Sequence, residues 1–322
     1  MKELRFMCAQ PATPYYVWQV EVMLNNFLQM GVNLNRVDII CSIPNSCNCE
    51  RVKSDKIPDA WLKLTTNYAA RFFFYEDTRQ QKNYQSSIRP NILKQHWQAH
   101  SYLKEQAIFY HDCDIIFTKP PSNWITKDMI NDEDWYGSDT KWYIAHTYIK
   151  SKGQDVLDAM CEIMNLNEKL ILDNELNSIG SQYLMKNIDY AYWDRVEKDS
   201  EKLFTEITKL NNQKQEINPD YHELQIWCAD MWAVLWGAWR LGYKTICHLN
   251  FNFSWATSNE DDYNNANIMH NAGVTNNKTG LFYKSDYINE YPYNKDLQIN
   301  ETGATRHYWD LVQETANKTV LI

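Results

Sequence analysis

The chain has 322 residues, 44% of them hydrophobic, and a formal net charge of −9, which are values typical of a globular protein with a sizeable core. The negative charge argues against broad, non-specific binding to nucleic acid. The sequence has no apolar run of about 18 residues, so no membrane span is predicted. Core packing explains most of the 13 Trp and 21 Tyr, and the remainder favour a ligand with sugar rings or bases.

The first 117 residues alternate between apolar strand patterns and helical periodicity. This alternation predicts an α/β fold with a mainly parallel sheet flanked by helices. The predicted strands are Leu4–Ala9, Arg36–Ile43, Arg71–Tyr75 and Ala107–Phe117, the last interrupted at His111–Asp114. The predicted helices are Tyr16–Met30, Trp61–Ala70 and Ile88–Tyr102.

The second half is less regular, and the whole chain, 1–322, is predicted to form a single domain. Asp155–Asn165 is predicted to be a helix, and the charged segment Glu197–Gln215 an exposed helix or lid. Leu224–Leu241 is apolar on nearly every side, which predicts a buried helix before a strand at Tyr243–Leu249. The chain after Asn250 is predicted to consist of loops with short elements.

The segment Ile108–Phe117 carries the sharpest chemical signal. Asp112 and Asp114 are spaced i, i+2, so on an extended chain their carboxylates point the same way. Carboxylates at the tip of a buried strand need a compensating cation, and oxygen ligands favour Mg²⁺ or Mn²⁺. The alternative is an acidic strand end that caps a helix or pairs with Lys or Arg.

The segment Tyr110–Phe117 resembles the Asp-x-Asp strand of GT-A glycosyltransferases, which binds the metal and the diphosphate of a nucleotide sugar. Ile268–Val274 is similar to the late His-x-x-Gly element of retaining members. The resemblance implies that His270 is the third metal ligand and that Gly273 belongs to the donor site. A lysine that touches the diphosphate follows in that family, and Lys278 and Lys284 are both candidates.

Two further segments add candidate residues to this resemblance. Gln225–Trp232 is similar to the helix start that places an acidic residue near the anomeric carbon, which makes Asp230 the candidate catalytic group. Its alternative roles are a helix N-cap or a buried ion pair. Ser178–Lys186 resembles a donor-sugar loop, which would bring Gln182 into the pocket.

The nucleoside contacts are the least defined part of the predicted site. The first loop, Cys8–Tyr16, lacks the acidic residue that this family uses for the nucleoside, so Gln10, Tyr15 or Tyr16 would take its place. Arg89 has a planar guanidinium that suits a phosphate, although an ion pair with a neighbouring carboxylate is an equal alternative.

The sequence therefore predicts a metal-dependent, retaining glycosyltransferase, with residues 1–120 binding the nucleotide sugar and 121–322 forming the acceptor and catalytic half. The resemblance is to phage-type glycosyltransferases and, more distantly, to hydroxyproline O-arabinosyltransferases. It implies a UDP-sugar donor (UDP-arabinose or a UDP-hexose) and Mn²⁺ or Mg²⁺. The implied acceptor is a free hydroxyl, either of 5-hydroxymethylcytosine in phage DNA, which the basic stretch 51–94 would serve, or of a peptide or glycan.

Two functions from other classes compete with this interpretation. A nucleotidyltransferase could use a similar sheet and aspartate pair, and a non-catalytic carbohydrate-binding protein could use the aromatic residues alone. The scattered cysteines and the charged first ten residues favour the cytoplasm, which for a phage protein is that of the host. Cys47 and Cys49 lack a matching second pair, so no zinc site is predicted there.

Overall fold

A computed structural model describes residues 1–43, 57–275 and 277–319. Two sheets and twelve helices make up this part of the chain, together with short 3₁₀ turns. The strands are β1 (Leu4–Pro11), β2 (Val37–Ile43), β3 (Arg71–Glu76), β4 (Ala107–Tyr110), β5 (Ile115–Phe117), β6 (Trp135–Asp139), β7 (Ile179–Lys186), β8 (Thr245–Cys247), β9 (Phe253–Trp255) and β10 (Ile268–His270). The helices are α1 (Pro14–Gln29), α2 (Asp59–Asn67), α3 (Ile88–Ala99), α4 (Lys127–Asn131), α5 (Lys141–Ile144), α6 (His146–Lys150), α7 (Gln154–Met164), α8 (Glu168–Asp173), α9 (Tyr190–Ile217), α10 (Ala229–Arg240), α11 (Glu260–Asn265) and α12 (Ala304–Thr319).

The main sheet has seven strands in the order β3-β2-β1-β4-β7-β6-β8. All of its strands are parallel except β7, which runs antiparallel to both of its neighbours. The predicted mainly parallel sheet flanked by helices is therefore confirmed. The chain moves outward from β1 to β3 and then returns to place β4 on the other side of β1. Such a switch point leaves a crevice at the carboxyl ends of β1 and β4, where ligands of α/β proteins bind.

The predicted interruption of Ala107–Phe117 at His111–Asp114 is confirmed, but the two parts are separate strands in two different sheets rather than one strand. β4 ends at Tyr110, and the chain turns at His111–Asp114 before β5 begins the small sheet β5-β10-β9. In that sheet His270 of β10 is paired with Ile115 of β5, the residue after Asp114. The turn and the pairing together bring the end of the main sheet against the small sheet.

Apolar side chains fill both faces of the main sheet. One core packs α3, α7, α9 and α10 against the sheet, and a second packs α1 and α2 against its other face. A third core holds α12 against α1 and the small sheet. The small sheet is also fixed by Asn26 of α1, whose side chain bonds both the N–H and the C=O of Phe117. No helix of the described ranges is long and apolar enough to cross a membrane.

Three predicted elements need correction. Helix α9 begins seven residues before the predicted Glu197 and is not an exposed lid, since it lies against α3 and α10 and its Glu197, Asp199 and Glu201 are all buried. The segment Ser178–Lys186 is not a loop, because most of it is strand β7. Strand β6 was not predicted. Cys47 and Cys49 lie outside the described residues.

Candidate metal centre and its two cavities

Three potential metal ligands meet beyond the carboxyl end of β4. Asp112 and Asp114 stand in the turn between β4 and β5, and His270 ends β10. The Nε2 atom of His270 lies 3.3 Å from Oδ1 of Asp114 and 3.6 Å from Oδ2 of Asp112. One donor atom from each of the three residues can be chosen so that all three atoms lie within 4.8 Å of one another. The two oxygens and one imidazole nitrogen suit Mn²⁺ or Mg²⁺, so the residues predicted from the Asp-x-Asp motif can hold such an ion.

The surroundings of Asp114 favour the charged form of its carboxylate. Burial acts to raise the pKa of Asp114, but the neighbouring charges of Lys284 and His270 outweigh it and hold that pKa well below its ordinary value. Lys284 donates a hydrogen bond to Oδ2 of Asp114, which leaves Oδ1 directed at His270. The imidazole packs against two rings of β9, with Trp255 nearly parallel to it at 6.1 Å between centroids and Phe253 at 5.3 Å. The Asp114 carboxylate and the His270 imidazole are therefore held in place by neighbouring side chains.

Arg89 of α3 links the metal cluster to a third aspartate. Its guanidinium donates to Oδ1 of Asp112 and to Oδ2 of Asp230, both at 2.6 Å. Asp230 lies in the first turn of α10, and its Oδ1 also accepts a 2.6 Å hydrogen bond from the hydroxyl of Tyr84. Asp230 therefore does form the ion pair that was the alternative to a catalytic role. It also faces a cavity, so the two roles are compatible.

Two cavities meet at this charged group. The first, of about 310 Å³, lies at the end of β1, and the second, of about 590 Å³, lies between α3, α9 and α10. Arg89, Asp112, His270 and Lys284 line both of them. The first cavity is mostly polar. The second is walled mainly by aromatic rings, among them Tyr84, Tyr143, Tyr183, Trp193, Trp227 and Trp255.

The residues predicted to contact the nucleoside line the first cavity. Gln10 and Tyr15 are in its wall, beside Tyr16. Gln10 is buried, and its carbonyl oxygen has no hydrogen-bond partner within the described residues. An unpaired buried carbonyl costs free energy unless a ligand or water satisfies it. Gln10 and Tyr15 would therefore lie beside a molecule bound in this cavity.

The remaining predicted residues divide into those near the site and those outside it. Of the two candidate lysines, Lys284 is in the site, whereas Lys278 is exposed and pairs with Asp286. Gly273 lines neither cavity; its φ of +88° and the Trp255 ring, 3.1 Å from where a Cβ would be, explain why glycine occupies this turn. Gln182 is fully buried and also lines neither cavity, because it lies behind His270 with its amide nitrogen 3.5 Å from Nδ1.

Sequence reasoning missed two residues that shape the site. Tyr84 precedes α3 and contacts Asp230, and Glu201 of α9 holds the loop that carries Tyr84. The Glu201 carboxylate accepts hydrogen bonds from the backbone N–H of Asn83 and Tyr84 and, at 2.5 Å, from the hydroxyl of Ser87. Because these contacts join segments more than 110 residues apart, no local sequence motif predicts them.

The basic stretch 51–94 does not present a row of free cations. Residues 51–56 lie outside the described residues, and Arg71, Arg79, Lys82, Arg89 and Lys94 each form an ion pair. Arg71, for example, is bound to the buried Asp38 at the opposite edge of the sheet. These ion pairs favour a structural role for most of the stretch over a phosphate-binding groove.

No protein-family model matches this chain, and no curated protein is significantly similar to it. The geometry of the site therefore carries the functional inference.

Proposed function

We propose that this protein is a divalent-metal-dependent glycosyltransferase that moves a sugar from a nucleotide sugar, with UDP as the expected nucleotide, to a hydroxyl group. One observation carries the proposal: Asp112, Asp114 and His270 stand where a polar cavity at the end of β1 opens into an aromatic cavity faced by Asp230. A donor that places its nucleoside in the first cavity and its sugar in the second would lay its diphosphate across this cluster.

The charges around the junction suit that placement. Arg89 and Lys284 line both cavities and are held by aspartates, so each can turn part of its hydrogen-bonding capacity to a phosphate oxygen. A divalent ion bound by the cluster would supply the positive charge that stabilises a departing diphosphate. Gln10 and Tyr15 would contact the base or ribose.

The second cavity supplies the groups for transfer. The bond between the anomeric carbon and the diphosphate oxygen breaks with its electron pair leaving on the nucleotide, and the acceptor oxygen forms the new bond as it loses its proton. Asp230 is the carboxylate that faces this space, and it could stabilise the cationic sugar or take the acceptor proton. We expect retention at the anomeric centre, from the resemblance of the His270 segment to retaining enzymes.

The aromatic wall favours an acceptor with a flat or ring-shaped face. Trp227 is exposed at the rim, where it offers a ring face on which a base or a sugar can stack, and it lies nearly parallel to the buried Tyr143. Hydroxymethylcytosine and a glycan hydroxyl both meet this requirement. A base in duplex DNA would have to leave the stack to enter.

The test is nucleotide release from a panel of UDP-, GDP- and CDP-sugars with Mn²⁺, with and without hydroxymethylcytosine DNA or glycan acceptors. We expect one nucleoside diphosphate to be released, the release to require an acceptor for full rate, and EDTA to abolish it. Asp112→Asn or Asp114→Asn should abolish turnover, whereas Asp139→Asn, which alters a surface aspartate paired with Lys141, should not.

Other outcomes would point elsewhere. Pyrophosphate release from a nucleoside triphosphate would favour a nucleotidyltransferase. Sugar binding without metal, unchanged by Asp112→Asn, would favour a carbohydrate-binding protein. NMR of the product would give the anomeric configuration, and inversion would contradict the expected retention.

A further inference from the structure

Strand β7 is distorted where it passes behind His270. Gly137 of β6 pairs with Tyr183, but the next residue of β6, Ser138, pairs with Gly180, so Ser181 and Gln182 have no partners on that side. Ser181 has a φ of +61°, which is uncommon for a residue other than glycine. Bulges of this kind redirect side chains near functional sites. Here the bulge directs Gln182 at His270 and Ser138.

The hydroxyl of Ser138 determines the orientation of the Gln182 side-chain amide. Ser138 Oγ lies 2.6 Å from the backbone carbonyl oxygen of Phe251 and 2.6 Å from the side-chain oxygen of Gln182. A hydroxyl has one proton and can donate it to only one of two carbonyl oxygens. The other oxygen would then stand 2.6 Å from Oγ with no proton between them, which is repulsive. The Phe251 carbonyl cannot exchange its atoms, but the Gln182 amide can, by a half-turn that swaps its oxygen and nitrogen.

We infer that Gln182 is a positioning residue whose amide nitrogen donates a hydrogen bond to Ser138 and whose carbonyl oxygen accepts a hydrogen bond from Nδ1–H of His270. In this arrangement the Ser138 proton goes to Phe251, and every polar atom of the relay has a partner of the correct kind. This arrangement also determines which nitrogen of His270 is available to a metal ion. With a proton on Nδ1, the neutral imidazole has its lone pair on Nε2, the nitrogen that faces Asp112 and Asp114.

This assignment replaces the predicted role of Gln182 in the donor-sugar pocket. It fits the burial of both side chains, since Gln182 and Ser138 are each fully buried and reach neither cavity. It rests on the proposed function only in that the Nε2 lone pair is taken to bind a metal. The protonation of Nδ1 itself can be measured without any metal.

The first experiment is therefore ¹⁵N NMR of the metal-free protein with labelled histidine, in which the His270 signals are identified by their loss in His270→Asn. We expect Nδ1 to carry a proton at pH 7 and above, whether the ring is neutral or charged. An Nδ1 without a proton in the neutral ring would overturn the inference. This result does not depend on whether the protein is a glycosyltransferase.

The second experiment measures Mn²⁺ affinity by electron paramagnetic resonance in folded variants, with circular dichroism as the check on folding. Gln182→Met removes the acceptor and should weaken affinity by about 10- to 100-fold, as expected for the loss of a group that orients a ligating histidine. Gln182→Glu keeps an acceptor and should retain most of the affinity. Ser138→Ala should cause a smaller loss, because it frees the amide to turn.

The control is Ser200→Ala, which removes another buried hydroxyl, bonded to the backbone carbonyl of Glu197 in α9. It should leave Mn²⁺ affinity unchanged. Wild-type affinity in Gln182→Met would contradict the relay while leaving the proposed function intact. If the wild-type protein binds no Mn²⁺, the proposed function fails, and the NMR result alone decides the relay.

Discussion

Two clusters of buried carboxylate and cation lie at opposite edges of the main sheet, and they use their charges differently. At the amino-terminal edge, Asp38 of β2 is fully buried, and both of its oxygens accept hydrogen bonds from Arg5 and from Arg71. At the carboxyl edge, Asp112 and Asp114 each give one oxygen to a cation and turn the other toward His270.

The two clusters differ in how fully their carboxylate oxygens are paired with Arg or Lys. The single carboxylate of Asp38 is saturated by two guanidinium groups, and none of Arg5, Arg71 or Asp38 lines either of the two cavities described above. At the other edge, within the part of the chain that the structure describes, three aspartates including Asp230 share two Lys or Arg partners, Arg89 and Lys284, beside open space. A buried charge cluster that is saturated supports the fold, whereas one left incomplete next to a cavity is suited to binding a cation.

The largest expected effect comes from Asp112→Asn, which should separate binding from stability. Losing one anionic ligand should reduce turnover by at least about a hundredfold, since a metal supplies several kcal/mol of charge stabilisation. The free energy of unfolding should change little or rise, because Asp112 is partly exposed and its removal relieves repulsion with Asp114. Nucleotide release and urea unfolding measure the two quantities.

Asp77→Asn is the matched control, because Asp77 is also partly exposed and paired with an arginine, Arg79, but lies outside both cavities. It should leave turnover near the wild-type value. A large loss of stability in Asp112→Asn with normal Mn²⁺ affinity would show that the two edges serve the same structural purpose and would remove the basis of the comparison.

Asp38→Asn should have the opposite effect, lowering stability while leaving metal binding intact. Taking one partner from a buried ion pair leaves uncompensated charge and costs about 3–5 kcal/mol. The free energy of unfolding should fall by about that amount, while Mn²⁺ affinity in the folded protein stays unchanged. Urea unfolding at neutral pH and a Mn²⁺ titration check the two parts, and weakened Mn²⁺ binding would mean that the edges are coupled.

The sequence predicted the half of this arrangement that depends on local patterns. Apolar periodicity located β1 to β3 and α1 to α3, and the spacing of Asp112 and Asp114 located the cluster. Prediction from the sequence failed where contacts between distant segments determine the structure. The charges of α9 suggested an exposed helix, yet Glu197 is buried because it accepts a hydrogen bond from Asn91 and pairs with Lys94.

The predicted strand Tyr243–Leu249 contains β8, but β6 and β7 were missed for a related reason. The irregular pairing of Gly137 and Ser138 and the left-handed backbone of Ser181 interrupt the alternation by which strands are recognised. The relay of Ser138 and Gln182 depends on this same irregularity. The part of the chain that is hardest to predict is therefore also the part that supports His270.

A pH dependence should further distinguish the Asp38 cluster. Burial acts to raise the pKa of Asp38, but the nearby His96 and the hydrogen bonds from Arg71 and Arg5 outweigh it and hold the pKa well below its value of about 3.9 in unfolded chains. The lowered pKa contributes stability that is fully present above about pH 4 and is lost as the pH falls toward the folded-state value.

The stability difference between wild type and Asp38→Asn should thus be constant from pH 7 to about pH 5 and shrink below about pH 4. Urea unfolding at several pH values measures it. A difference that stays constant down to pH 3 would show that Asp38 titrates alike in the folded and unfolded chains, and so would contradict its saturation by the two arginines.

The smallest expected effect tests the incomplete edge through Tyr84→Phe. Its hydroxyl lies 2.6 Å from Asp230, and a hydrogen bond to a charged group is worth about 1.5–3 kcal/mol. Because Arg89 still holds Asp230, we expect the low end of this range, a decrease of about tenfold in kcat with little change in Mn²⁺ affinity. Tyr143→Phe removes a hydroxyl from the same cavity without touching Asp230, so it serves as the control. If both variants lose the same activity, the cavity needs its hydroxyl groups for binding alone, whereas a loss confined to Tyr84→Phe places Asp230 at the reacting centre.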